Sequence, residues 1–164
     1  MIGHLPSTIV EGRHRYTLRV YFEDTDAGGI VYHANYLRFA ERARTEAMRD
    51  LAIPHAELVS RFNLMFVVHS IKMEYLRPAR LDDSVTVVTE PVLVGGASVT
   101  LRQDFRAGDQ GEGADRLALL TVRLACVAIG ADRPERIPDR WREALEAMRD
   151  ARTGASPGNG AQWR

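Results

Sequence analysis

The sequence predicts an α+β domain in which a single antiparallel sheet packs on one long helix. Three observations carry this expectation. Residues 15–22 alternate, with Tyr16, Leu18, Val20 and Phe22 on one face and Arg15, Thr17, Arg19 and Tyr21 on the other, the period-two pattern of a half-buried strand. Tyr36, Ala40, Ala43, Ala47 and Leu51 then recur at helical spacing. The rest of the chain is rich in strand-forming residues and shows no alternation of strands with helices, so a parallel, doubly wound sheet is not expected.

Taken in order, the first strand ends at Phe22 and the long helix follows a turn. Its alanines matter, because small side chains let a helix lie close against a sheet. Pro54 ends that segment, and residues 55–61 read as a short second helix or an extended turn. Strands are expected over 66–76, 85–94, 97–106 and 117–129, with Gly95-Gly96 as a hairpin signal between the second and third of these. Residues 107–114, rich in glycine, read as a flexible connection. Pro138 opens a charged helix over 139–151, whose Trp141, Leu145 and Met148 form a narrow apolar stripe for the domain or a partner. One domain over 1–152 and a disordered tail over 153–164 complete the expected organisation. No internal repeat is present.

The richest segment joins the first strand to the helix: Glu23-Asp24-Thr25-Asp26-Ala27-Gly28-Gly29-Ile30-Val31-Tyr32-His33-Ala34-Asn35-Tyr36. Glycines here permit positive φ and close approach of a ligand to the main chain. Asp26 would face free N–H groups at a helix N-terminus, where negative charge developing on a substrate oxygen is stabilised and a carboxylate can act as base or nucleophile. Asp24 reads as structural, bonding turn amides. The spacing fits neither an EF-hand nor a P-loop, and no G-x-S-x-G nucleophile elbow occurs.

The stretch RVYFEDTDAGGIVYHANYLRFAERARTE (19–46) resembles the signature of hotdog-fold acyl-CoA thioesterases of the 4-hydroxybenzoyl-CoA thioesterase type. Within them it is most similar to the Tol-Pal system-associated acyl-CoA thioesterases, and MEYLRPARLDD (73–83) resembles a second recurrent segment of the family. The resemblance implies a hotdog fold, an antiparallel sheet wrapped around a long central helix. It implies hydrolysis of an acyl-CoA to free acid and CoA without a cofactor. It further places Asp26 at the family's catalytic aspartate, as nucleophile or general base, and His33 at the first residue of the central helix, where its N–H polarises the thioester carbonyl. Gly28, Gly29, Ile30, Val31 and Tyr32 would supply the substrate-binding backbone around them.

This chain departs from the pattern at Phe22, where several relatives carry tyrosine; Tyr21 points to the opposite face if alternation holds. A second branch of the fold uses a helical glutamate, which makes Glu41 and Glu46 rivals to Asp26. Paired protomers, as homodimer or homotetramer, are implied, with the Val99-Leu101-Phe105 face and the 117–129 strand as apolar interface material. A non-catalytic module binding acyl thioesters or an acyl carrier protein is the competing class.

Composition narrows the partners. Twenty-two basic and 22 acidic residues leave a formal net charge of zero, which argues against a nucleic-acid or anionic-membrane surface. Lys72 is the only lysine, and Arg77, Arg80, Arg102 and Arg106 are candidates for CoA phosphates. The lone Cys126 excludes an internal disulfide and, inside an apolar run, reads as a buried small hydrophobe. His4, His14, His55 and His69 lack helical partners, so no metal is expected. No signal-like or membrane-spanning run is present, and a cytoplasmic location is expected.

Overall fold

A computed structural model describes residues 7–109 and 114–153. Six strands, β1 (Ser7–Val10), β2 (Arg13–Arg19), β3 (Leu64–Tyr75), β4 (Ser84–Val94), β5 (Ser98–Ala107) and β6 (Arg116–Ala128), form one sheet in the order β1-β2-β4-β5-β6-β3. Every neighbouring pair is antiparallel. Helix α1 (Asn35–Asp50) crosses between β2 and β3, followed by α2 (His55–Phe62), and α3 (Asp139–Thr153) closes the described chain.

The buried face of α1 explains the expected stripe. Tyr36, Phe39, Ala40, Ala43, Ala47 and Met48 are buried, and the small residues bring the helix backbone close to a sheet face built from Leu18, Val85, Val87, Phe105 and Leu120. Asn63 in the left-handed region (φ 53°) ends α2 and turns the chain into β3. The β4–β5 hairpin closes at Gly95, whose N–H donates to Ser98 O at 2.8 Å. Within β4, Pro91 lies where the register shifts, a position that needs no ladder donor.

Helix α3 packs on its own domain. Trp141 is fully buried, Leu145 and Met148 nearly so, and Arg152 meets Glu90 of β4 at 3.2 Å. Gly12, at φ 71°, makes this contact possible: a Cβ there would stand 2.2 Å from Met148 O and 2.7 Å from Arg152 N.

Several sequence expectations need correction. The first strand ends at Arg19, because residues 22–24 wind into a 3₁₀ turn that leaves Phe22 81% exposed. β1 has no counterpart among the expected strands; its four residues are too few for periodicity to register. Val99, Leu101 and Phe105 are buried within the protomer and β5 and β6 are interior strands, so neither supplies an interface edge; the free edges belong to β1 and β3. Thr153, assigned to the tail, is the last residue of α3. The remainder of that tail, and residues 110–113 of the expected flexible connection, lie outside the described residues.

Candidate active site

The segment from β2 to α1 is held by hydrogen bonds that use its polar residues in distinct ways. Asp24 is buried: its Oδ2 accepts the Tyr21 N–H at 2.8 Å, and its carbonyl accepts Tyr32 N–H and Asn35 Nδ2, both at 2.9 Å. It therefore pins the start of α1 to the end of β2, as a structural carboxylate should. Asp26 is exposed, with its N–H donating to Ile30 O at 2.9 Å and its carbonyl accepting from Gly29 at 3.0 Å. That tight turn requires the positive φ of Gly29 (75°).

Gly28 serves the carboxylate directly. Its N–H donates to Asp26 Oδ1 at 2.8 Å, and a Cβ at this position would sit 3.1 Å from the same oxygen. One carboxylate oxygen is thus oriented, and the other has no partner among the described residues.

Helix α1 begins at Asn35, with Ala34 as its N-cap, so His33 precedes the helix instead of opening it. Of the backbone donors here, Gly29 donates to Asp26, Val31 to Ala79, Tyr32 to Asp24 and Asn35 to Tyr32. The N–H groups of His33 and Ala34 have no partner among the described residues, and they lie at the positive end of α1.

Asp26, Ile30, Val31, His33, Tyr36 and Tyr75 line an open cavity of about 400 Å³, which Leu76, Arg77 and Pro78 complete. Gly28, Gly29 and Tyr32 stand outside that lining; the glycines shape the turn, and the Tyr32 ring packs edge-on against His33 with centroids 4.5 Å apart. Two tyrosines to which sequence reasoning gave no site role line the cavity. Tyr75 of β3 donates its hydroxyl to His33 O at 2.9 Å, tying the strand to the helix entry. The Tyr36 ring meets those of Tyr75 and Phe105 at 5.4 and 5.3 Å, and its oxygen accepts the Ala79 N–H at 3.3 Å. Tyr75 falls inside the second recurrent segment, so that motif was its available signal.

The remaining candidates separate. Glu41 and Glu46 lie outside this cavity, and Glu46 pairs with Arg49. Arg77 pairs with Asp115 at 2.6 Å, and Arg106 is held by Asp104. Cys126 is buried, and burial pushes its thiol up to about 11, which suits packing and not nucleophilic attack. Among the described residues no group of three His, Cys, Asp or Glu could hold a metal, and no helix is long and apolar enough to cross a membrane.

Residues 28–114 match the family model described as the thioesterase superfamily. The chain belongs to that superfamily. A thioesterase of Haemophilus influenzae, the acyl-CoA thioesterase YbgC, is 39% identical over 134 residues, spanning 82% of this chain and 95% of the relative. A 1,4-dihydroxy-2-naphthoyl-CoA hydrolase of Thermosynechococcus vestitus is 28% identical over 124 residues, 76% of this chain and 82% of that one. Among solved structures, a probable thioesterase from Bartonella henselae superposes with a TM-score of 0.69 at 32% identity, covering 77% of this chain and 99% of its own. The superfamily's hotdog architecture, a sheet wrapped on a central helix, is the one described above.

Proposed function

We propose that this chain hydrolyses an acyl-CoA thioester to the free acid and CoA, with the chemistry carried by Asp26. The observation that carries the assignment is a half-committed Asp26 carboxylate that shares one cavity with His33, whose amide, like that of the adjoining Ala34, has no partner among the described residues. The thioester carbonyl sits with its oxygen towards the His33 and Ala34 N–H groups, where the α1 dipole and two donors stabilise an oxyanion. Asp26 then attacks the carbonyl carbon or takes a proton from the attacking water, two routes that the same geometry serves. His33 contributes its backbone, held by Tyr75, and its imidazole lines the same space.

The working unit is a dimer or a dimer of dimers. Along the free edge of β3, Val68, Ile71 and Tyr75 are exposed, and Tyr75 is also a wall of the site. An unpaired edge of this length invites a second strand, and a second copy there would enclose a cavity that is open in one protomer.

Free-thiol release across a panel of aliphatic and aromatic acyl-CoAs, with acyl-carrier-protein thioesters alongside, tests the function. Turnover on at least one CoA ester supports it; binding without release on every member favours the non-catalytic module.

A further inference from the structure

A polar group in the wall of the Asp26 cavity has its hydrogen bonding half complete. Tyr36 lines that cavity from the first turn of α1 and is only 3% exposed. Its hydroxyl oxygen accepts the Ala79 N–H at 3.3 Å, so the phenol proton turns away from Ala79. No acceptor among the described residues takes that proton, and the Asp26 carboxylate in the same cavity does not. Tyr75, the other phenol of the lining, differs: its proton is committed to His33 O.

The Tyr36 donor is held in place and keeps its proton. T-shaped contacts with Tyr75 and Phe105 at 5.4 and 5.3 Å, and a tilted one with Phe39 at 6.2 Å, fix the ring. Burial raises the phenol above its usual protonation range, against the pull of the Ala79 hydrogen bond. A buried donor without an acceptor costs free energy that a ligand oxygen recovers on binding. The surroundings select which oxygen. Ile30, Val31, Leu76 and Pro78 give apolar walls, and the Asp26 carboxylate repels a second anion. Arg77, also in the lining, is already paired with Asp115. A neutral hydroxyl or oxo oxygen fits this donor, and a carboxylate does not.

We infer that Tyr36 is a specificity-determining residue whose hydroxyl donates to a hydroxyl or oxo oxygen on a short acyl chain. Oxygenated acyl-CoAs are then preferred to their plain counterparts, because a fixed donor discriminates against an analogue that leaves it unmet. The inference rests on the thioesterase reading above and adds a substrate class to it.

Thiol release from 2-hydroxybutyryl-CoA, 3-hydroxybutyryl-CoA and acetoacetyl-CoA, each against butyryl-CoA, reads the donor. In the wild type at least one oxygenated ester should exceed butyryl-CoA by about tenfold in kcat/KM, after correction for each ester's rate of hydrolysis by hydroxide. Tyr36→Phe should lower that ratio by about tenfold. Loss of the acceptor for Ala79 N–H lowers both members of a pair alike, so a merely structural role leaves the ratio unmoved. Tyr75→Phe should keep the wild-type ratio, because the hydroxyl it removes is committed to His33 O. If Tyr36→Phe does not fold, the wild-type ratios decide. Equal corrected values in every wild-type pair, or a ratio unchanged in folded Tyr36→Phe, would overturn the inference alone. So would release from other acyl-CoAs but from none of these four. Release from no CoA ester at all would overturn the thioesterase reading together with it.

Discussion

The two ends of α1 are built to opposite rules. At the C-terminal end the backbone is satisfied: Leu51 N–H donates to Ala47 O, Ile53 N–H to Met48 O, and buried His14 holds Asp50 at 2.8 Å. Helix α2 contacts this end, and α2 and α3 border a separate cavity beside it. At the N-terminal end Asn35 is anchored to Asp24, yet the His33 and Ala34 amides have no partners among the described residues and stand near an exposed carboxylate. Orphan donors at a helix N-terminus are open to an outside acceptor, which the capped C-terminal end does not offer. On the proposed function, the same helix is a structural strut at one end and a charge-stabilising device at the other.

The comparison can be broken first at the β3 edge. Ile71→Glu places charge on the free strand that walls the N-terminal site, and the expected outcome is a monomer in sedimentation with turnover at background. A fully active monomer would separate the site from the edge.

At the other end, Trp141→Ala should cost about 3–5 kcal/mol of unfolding free energy in urea, because a fully buried indole leaves a cavity. Turnover per folded molecule should be little changed, since Trp141 lies outside the Asp26 cavity.

Smaller effects sharpen the picture. Tyr75→Phe removes the hydroxyl that holds His33 O and should lower kcat about tenfold or less, equivalent to roughly 0.5–1.5 kcal/mol for one hydrogen bond. His14, on the strut side, is held below its ordinary 6.5 by burial, against the opposing pull of Asp50. The unfolded chain therefore takes up its proton first as pH falls below 6.5, and stability present above that value is lost towards the lowered folded-state pKa. His14→Gln should flatten this acid limb in thermal melts recorded from pH 7 to 5, while the wild type shows it.

These regions also differed in how far the sequence revealed them. The turn was legible because Asp26, Gly28 and Gly29 are local: a carboxylate, a close approach and a positive φ follow one another within four positions. The alanine face of α1 and the hairpin at Gly95 were equally local. What escaped depends on distant contacts. Phe22 continued the alternation of β2, but the bond from Tyr21 N–H to Asp24 Oδ2 draws the chain into a 3₁₀ turn and exposes the ring. Val99, Leu101 and Phe105 looked like interface material because a burial pattern cannot distinguish a sheet's core face from a contact face. Tyr75 acquires its role only when β3 crosses to reach His33, 42 residues earlier.

The central claim, that chemistry resides at the N-terminal end of α1, rests most directly on Asp26. Thiol release by Asp26→Asn, measured on the best acyl-CoA of the panel with melting temperature as a check on folding, should fall by about a hundredfold or more in kcat. His33→Ala should lose less, because its N–H survives the substitution. A folded Asp26→Asn protein that turns over near the wild-type rate would contradict the account.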